Sequence, residues 1–135
     1  MSIVRLLPAW LHAVADYAVG ATLIVVALAS GASTGAVATG VVVGATVLVV
    51  SMFTKYPLGI KKVLPFTVHS AGDYLAAALL IAAPFALNFA DAERGLAAFY
   101  VVMGVAVLAV SLVTNYQYSP KRAQDGIGGA RPVTA

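Results

Sequence analysis

The chain has no cysteine and a single tryptophan, and only 10% of its 135 residues are charged. Without cysteine there is no disulfide, no thiolate metal site and no thiol relay. So little charge excludes an ordinary water-soluble domain, which carries about 25% charged residues. The alternating pattern of barrel strands is missing too. Acidic residues number five against eight lysines and arginines, a formal net charge of +3. That excess does not point to nucleic acid, because the placement of the basic residues has a topological explanation.

What the chain does contain is apolar: 61% hydrophobic residues and a mean hydropathy of +0.96. Crossing a bilayer takes about 20 apolar residues, and such stretches fit at 11–30, 36–53, 68–89 and 95–113. Asp73 and Pro84 interrupt the third. Backbone groups in lipid must be satisfied within their own segment, so these stretches are expected to be helices. The first resembles a signal peptide with cleavage near Ala29-Ser30-Gly31-Ala32, but Asp16 interrupts it and its polar residues recur later, so it is read as a retained helix.

The recurrence is extensive. Leu7-Pro8, His12 and Asp16-Tyr17 return as Leu64-Pro65, His69 and Asp73-Tyr74, 57 positions on; Ser51, Thr54 and Tyr56 return as Ser111, Thr114 and Tyr116, 60 positions on. The expected fold is an all-α integral membrane four-helix bundle made of two parallel tandem two-helix repeats, at about 7–56 and about 64–116. These form a transmembrane domain of 1–117, followed by a disordered cytoplasmic tail at 118–135. Arg5, Lys55, Lys61, Lys62, Lys121, Arg122 and Arg131 then fall on one side and Arg94 alone on the other. By the positive-inside rule both termini are expected to be cytoplasmic, and the expected location is the bacterial inner membrane. The connection at 57–65, with prolines, a glycine and Lys61 and Lys62, is expected to lie at headgroup level, its lysines toward anionic lipid.

His12 and Asp16 share a helix face, as do His69 and Asp73, each pair being four residues apart. With Tyr17, Tyr74, Thr54 and Thr114 they form a candidate polar cluster near the cytoplasmic boundary, where up to four tyrosines converge. Ionisable groups in a membrane rarely face lipid. Several readings are open. Two histidines and two carboxylates satisfy zinc or another divalent ion, two histidines at one depth suit a bis-histidine haem, and His–Asp pairs recur in proton and ion paths. Against these stands a structural reading, in which each Asp caps its helix, each His bonds that Asp, and each Thr bonds back to the preceding turn. The spacing alone assigns no metal ligand and no cofactor.

Gly40 and Gly44 form a Gly-x-x-x-Gly pair and Gly104 is the counterpart of Gly44; all three are read as helix-packing positions, the first two as a homodimer face. Trp10 suits an interface anchor, Pro84 a kink, and Asp91 a cap for the fourth helix.

Asp73-Tyr74-Leu75, running through Leu79-Leu80-Ile81-Ala82 to Ala83-Pro84-Phe85 and Phe89, resembles the SPW-repeat membrane proteins of bacteria. Those pair two transmembrane helices per unit around a Ser-Pro-Trp motif, of which this chain keeps the proline. The stretch from Leu58 to Pro65, followed by Val68-His69, also resembles connectors of small four-helix proteins, and the likeness covers most of the chain from Leu7 to Tyr116. It implies the architecture and adds no chemistry.

No nucleophile–base–orienter arrangement is visible, so an enzyme is not expected. The expected role is a scaffold or accessory subunit, with the bilayer and a homodimer or membrane-protein partner, and no nucleic acid. The alternatives are a small transporter or ion- or proton-conducting oligomer using the His–Asp pairs, and a haem- or metal-binding membrane protein.

Overall fold

In the computed structural model, residues 5–116 are described, and the expected tail at 118–135 falls outside them. Four helices follow one another: α1 (Ala9–Ala29), α2 (Thr34–Phe53), α3 (Phe66–Ala86) and α4 (Arg94–Val113). Among the described residues there is no strand. Each helix is long and apolar enough to cross a membrane, and α3 is the least apolar of the four. At 1.5 Å per residue, 20 or 21 residues reach about 30 Å, the thickness of the hydrocarbon layer.

Two prolines set where α1 and α3 begin. Pro8 and Pro65 are extended (ψ 152° and 140°) and stand just before the first turn, where a missing N–H costs nothing. Their carbonyls take the first helical amides, His12 N–H to Pro8 and His69 N–H to Pro65. No side chain caps either helix, which overturns the expectation that Asp16 and Asp73 do so.

At its far end α3 closes in a Schellman arrangement. Asn88 turns left-handed (φ 56°), Phe89 N–H reaches the Pro84 carbonyl at 3.0 Å and Asn88 N–H that of Phe85 at 3.2 Å. Phe89 is buried, the apolar contact that accompanies this motif. Pro84 thus lies in the last turn, and α3 stops at Ala86 instead of running on to residue 89. Asp91 is exposed and does not cap α4. Glu93 stands there instead, and its carboxylate accepts the backbone N–H and the hydroxyl of Ser33, tying the two outer turns together.

The packing is inside-out relative to a soluble bundle. Alanine, glycine and polar residues share the interior with a few large side chains such as Leu23, Leu80 and Tyr100, while Val25, Leu28, Val42, Leu75, Val102 and Val105 point outward. Lipid is as apolar as leucine, so close backbone approach, not burial of large side chains, holds such helices together. α1 packs most extensively on α2, and α3 on α4. A Cβ at Gly44 would lie 2.7 Å from the Gly20 carbonyl oxygen and 2.9 Å from Ile24 Cγ1; at Gly104 it would lie 2.9 Å from the Ala77 carbonyl oxygen and 2.8 Å from Ile81 Cγ1. These are equivalent contacts in the two halves. Gly40 is pressed against Tyr100 and Ala27. The expected packing role of the three glycines therefore holds, but Gly40 and Gly44 pack inside the chain and offer no homodimer face.

The starts of α1 and α3 meet the ends of α2 and α4 at one end of the bundle. Leu7 bridges Thr114 and Leu64 bridges Thr54. Leu6 and Leu7 N–H share the Val113 carbonyl as Val63 and Leu64 N–H share that of Phe53. Carbonyls that the end of a helix leaves unpaired are satisfied by the start of the other half. Each half is closed by its neighbour.

Candidate functional site: a buried histidine–aspartate quartet

His12 and Asp16 leave α1 in its first two turns, His69 and Asp73 leave α3 in the same way, and the four side chains meet. His12 Nε2 lies 3.3 Å from Asp16 and 3.2 Å from Asp73; His69 Nε2 lies 3.1 Å from Asp16 and 3.0 Å from Asp73. Each imidazole thus faces both carboxylates, one on its own helix and one across the bundle. Both histidines are 1% exposed, so the charges are removed from water and depend on one another.

The ends of α2 and α4 supply the surrounding hydrogen bonds. Thr54 Oγ1 stands 2.7 Å from His69 Nδ1 and Thr114 Oγ1 2.8 Å from His12 Nδ1. Each hydroxyl donates its proton to a carbonyl one turn back, that of Val50 or Val110. The Tyr56 hydroxyl donates to Asp16 Oδ2 at 3.1 Å and the Tyr116 hydroxyl to Asp73 Oδ2 at 2.9 Å. Burial pushes both of these phenols well above the usual tyrosine value, and the adjacent carboxylate adds to the shift. They remain protonated donors. Ser51 and Ser111 are buried beside the same two phenols without a well-formed hydrogen bond of their own.

Six of the eight residues expected in the cluster, His12, Asp16, His69, Asp73, Thr54 and Thr114, are brought together. Tyr17 is not among them, because its hydroxyl reaches out to the Leu58 carbonyl at 3.0 Å. Tyr74 occupies the equivalent half-buried position on α3. The tyrosines that serve the carboxylates are Tyr56 and Tyr116, whose recurrence 60 positions apart was the available signal. Phe66 had none, since its counterpart in the first half is Ala9. Its ring packs on His12, Tyr56, His69 and Tyr116 at centroid distances of 4.7–5.8 Å and covers the quartet at the end of the bundle. Lys61 and Lys62 are exposed on the connection.

On its other side the quartet meets an apolar core that includes Leu23, Val43, Ala76, Leu80 and Tyr100. Tyr100 breaks the repeat: its counterpart is Gly40, and its hydroxyl crosses the bundle to the Ala36 carbonyl at 2.7 Å. A cavity of about 130 Å³ between α2 and α3 reaches His69 and Asp73 between valine and leucine walls. A smaller one, about 40 Å³, reaches His12 and Asp16 between α1 and α4. A haem held between the two histidines has no room for its ring, because both Nε2 atoms lie against the same two carboxylates. Comparison with protein-family models, with curated proteins and with solved structures gives no match.

Proposed function

We propose that this chain is a non-enzymatic scaffold or accessory subunit of the bacterial inner membrane, in which the quartet fastens four helix ends into one rigid unit. The observation that carries this reading is closure: the four ionisable side chains face one another out of water, with Phe66 on one side and the Tyr100 core on the other. A conducting path needs groups that exchange with water at both faces, and the apolar core around Tyr100 speaks against one within a single chain. Parallel repeats, cytoplasmic termini and kinship with SPW-repeat proteins belong to the same proposal. Their support is the recurrence of residues and the excess of basic residues on one side. Lys61 and Lys62, exposed on a connection whose Ile60 and Val63 are also exposed, fit a segment at the headgroups. A partner would meet the outward valine and leucine faces.

The test combines stability with flux. His69→Ala with Asp73→Asn should lower the melting temperature in detergent by many degrees, whereas wild-type protein in vesicles carrying a pH-sensitive dye should leave proton flux at the level of empty vesicles. Flux that the same double substitution abolishes would replace the scaffold by a conducting role. Reporter fusions at residues 32 and 60 should fall in opposite compartments, and finding them in one would refute the parallel repeats.

A further inference from the structure

We propose that His12, Asp16, His69 and Asp73 form a closed site for one tetrahedral divalent metal ion of the zinc class; the proposal rests on the clasp reading above and names what occupies its centre. The argument begins with the threonines. Thr54 and Thr114 have already given their hydroxyl protons to Val50 and Val110, so toward the imidazoles they can only accept. Both Nδ1 atoms are therefore N–H donors, and the tautomer is set from outside the quartet. This is the role that outer hydrogen bonds play for metal-binding histidines, whose other nitrogen is left as the ligand.

The two Nε2 atoms point inward. Both are buried, and neither has an oxygen in line to complete a hydrogen bond, although carboxylate oxygens stand 3.0–3.3 Å away. An imidazolium N–H would align with one oxygen. A lone pair directed between two carboxylates is instead repelled by both, unless a cation lies between them. One potential ligand atom from each of the four residues lies within 4.8 Å of the other three. A tetrahedron with bonds of about 2.0–2.1 Å has edges of about 3.3–3.4 Å; each histidine stands against a different oxygen of each aspartate, so with one oxygen from each the longer separations must draw in for all four to reach the ion.

Charge and surroundings agree. Two neutral imidazoles and two carboxylates carry two negative charges, which a divalent ion cancels completely in a site cut off from water. Tyr56 and Tyr116 donate to one oxygen of each carboxylate, holding both in orientation. Four protein ligands with no open position mark a structural zinc site, not a catalytic one. Each repeat contributes one histidine and one aspartate, so neither half can hold the ion alone. The metal would join the two halves at the point where their helices begin.

The experiment uses the full chain in detergent, stripped with a chelator and titrated with Zn²⁺, with Co²⁺ as a spectroscopic probe. One equivalent of Zn²⁺ per chain should bind and raise the melting temperature, and Co²⁺ should give the intense visible absorption of a tetrahedral complex. Nitrogen NMR of the histidines should find both Nδ1 atoms protonated and both Nε2 atoms metal-bound. Thr54→Val with Thr114→Val keeps every ligand but frees the tautomer, and should weaken Zn²⁺ binding about 10–100-fold. His12→Ala should abolish it. A stripped protein that ignores excess Zn²⁺ and carries protons on both Nε2 atoms overturns the metal site, even if quartet substitutions still lower the melting temperature. Bound metal whose removal leaves stability unchanged overturns the clasp instead.

Discussion

Replacing Asp73 by Asn should cost the fold about 3–5 kcal/mol, the range for removing one partner from a buried ionic pair. The residue is 6% exposed and its carboxylate stands 3.0 Å from His69 Nε2, 3.2 Å from His12 Nε2 and 2.9 Å from the Tyr116 hydroxyl. Asparagine keeps the shape but leaves the positive charge that two carboxylates balanced against a single carboxylate. Asp16→Asn should cost a similar amount, because its neighbours are the repeat equivalents of those around Asp73. The double substitution is the sharper test. With both carboxylates gone the positive charge leaves too, and two neutral imidazoles can accept from two amides. Its cost should therefore fall below the sum of the singles by about 0.5–3 kcal/mol, the usual coupling of residues in one network. Reversible unfolding in mixed micelles measures all three variants against wild type, with Tyr17→Phe as a near-neutral control. Costs that are strictly additive, or singles below about 1 kcal/mol, would refute the view that the four residues act as one unit.

Gly44→Ala and Gly104→Ala should each destabilise by about 1–3 kcal/mol, since the new methyl meets backbone oxygen at 2.7 and 2.9 Å and forces two helices apart. Gly72→Ala, where nothing lies within 4 Å, should be neutral or stabilising in the same unfolding assay. Gly40→Ala should be costly in wild type and partly relieved by Tyr100→Phe, which removes the hydroxyl pressed against that position; equal costs in both backgrounds would contradict the packing. The phenols of Tyr56 and Tyr116 are raised, so the fold favours their protonated form. Their contribution is fully present below the ordinary value of 10.0 and fades only as pH climbs through the higher folded values. In an alkaline titration followed by tyrosinate absorbance, the latest-ionising component should disappear in the Tyr56→Phe/Tyr116→Phe variant.

Much of the architecture was legible because the chemistry of lipid leaves few options. Four apolar runs had to become helices, and Pro8 and Pro65 fixed where two of them start. Only the far end of the third run was misread, because a left-handed Asn88 closes α3 before residue 89. The recurrence of His12, Asp16 and Thr54 as His69, Asp73 and Thr114 marked most of the site for the same reason: a duplicated residue occupies a duplicated place. Where the duplication fails, sequence reasoning fell silent. Phe66 and Tyr100 have Ala9 and Gly40 as counterparts, yet one covers the quartet and the other crosses the core.

Composition and spacing determined that the protein is helical and apolar, since unpaired backbone is costly wherever the surroundings are apolar. Tertiary structure alone decided that each histidine faces both aspartates and that Tyr56 and Tyr116, not Tyr17 and Tyr74, serve the carboxylates. It also decided that the Gly-x-x-x-Gly surface is used up within the chain. All three depend on how the helices are rotated about their own axes. Apolar residues on every side of a helix leave that rotation largely unmarked in the sequence, and close contacts such as those at Gly44 and Gly104 fix it.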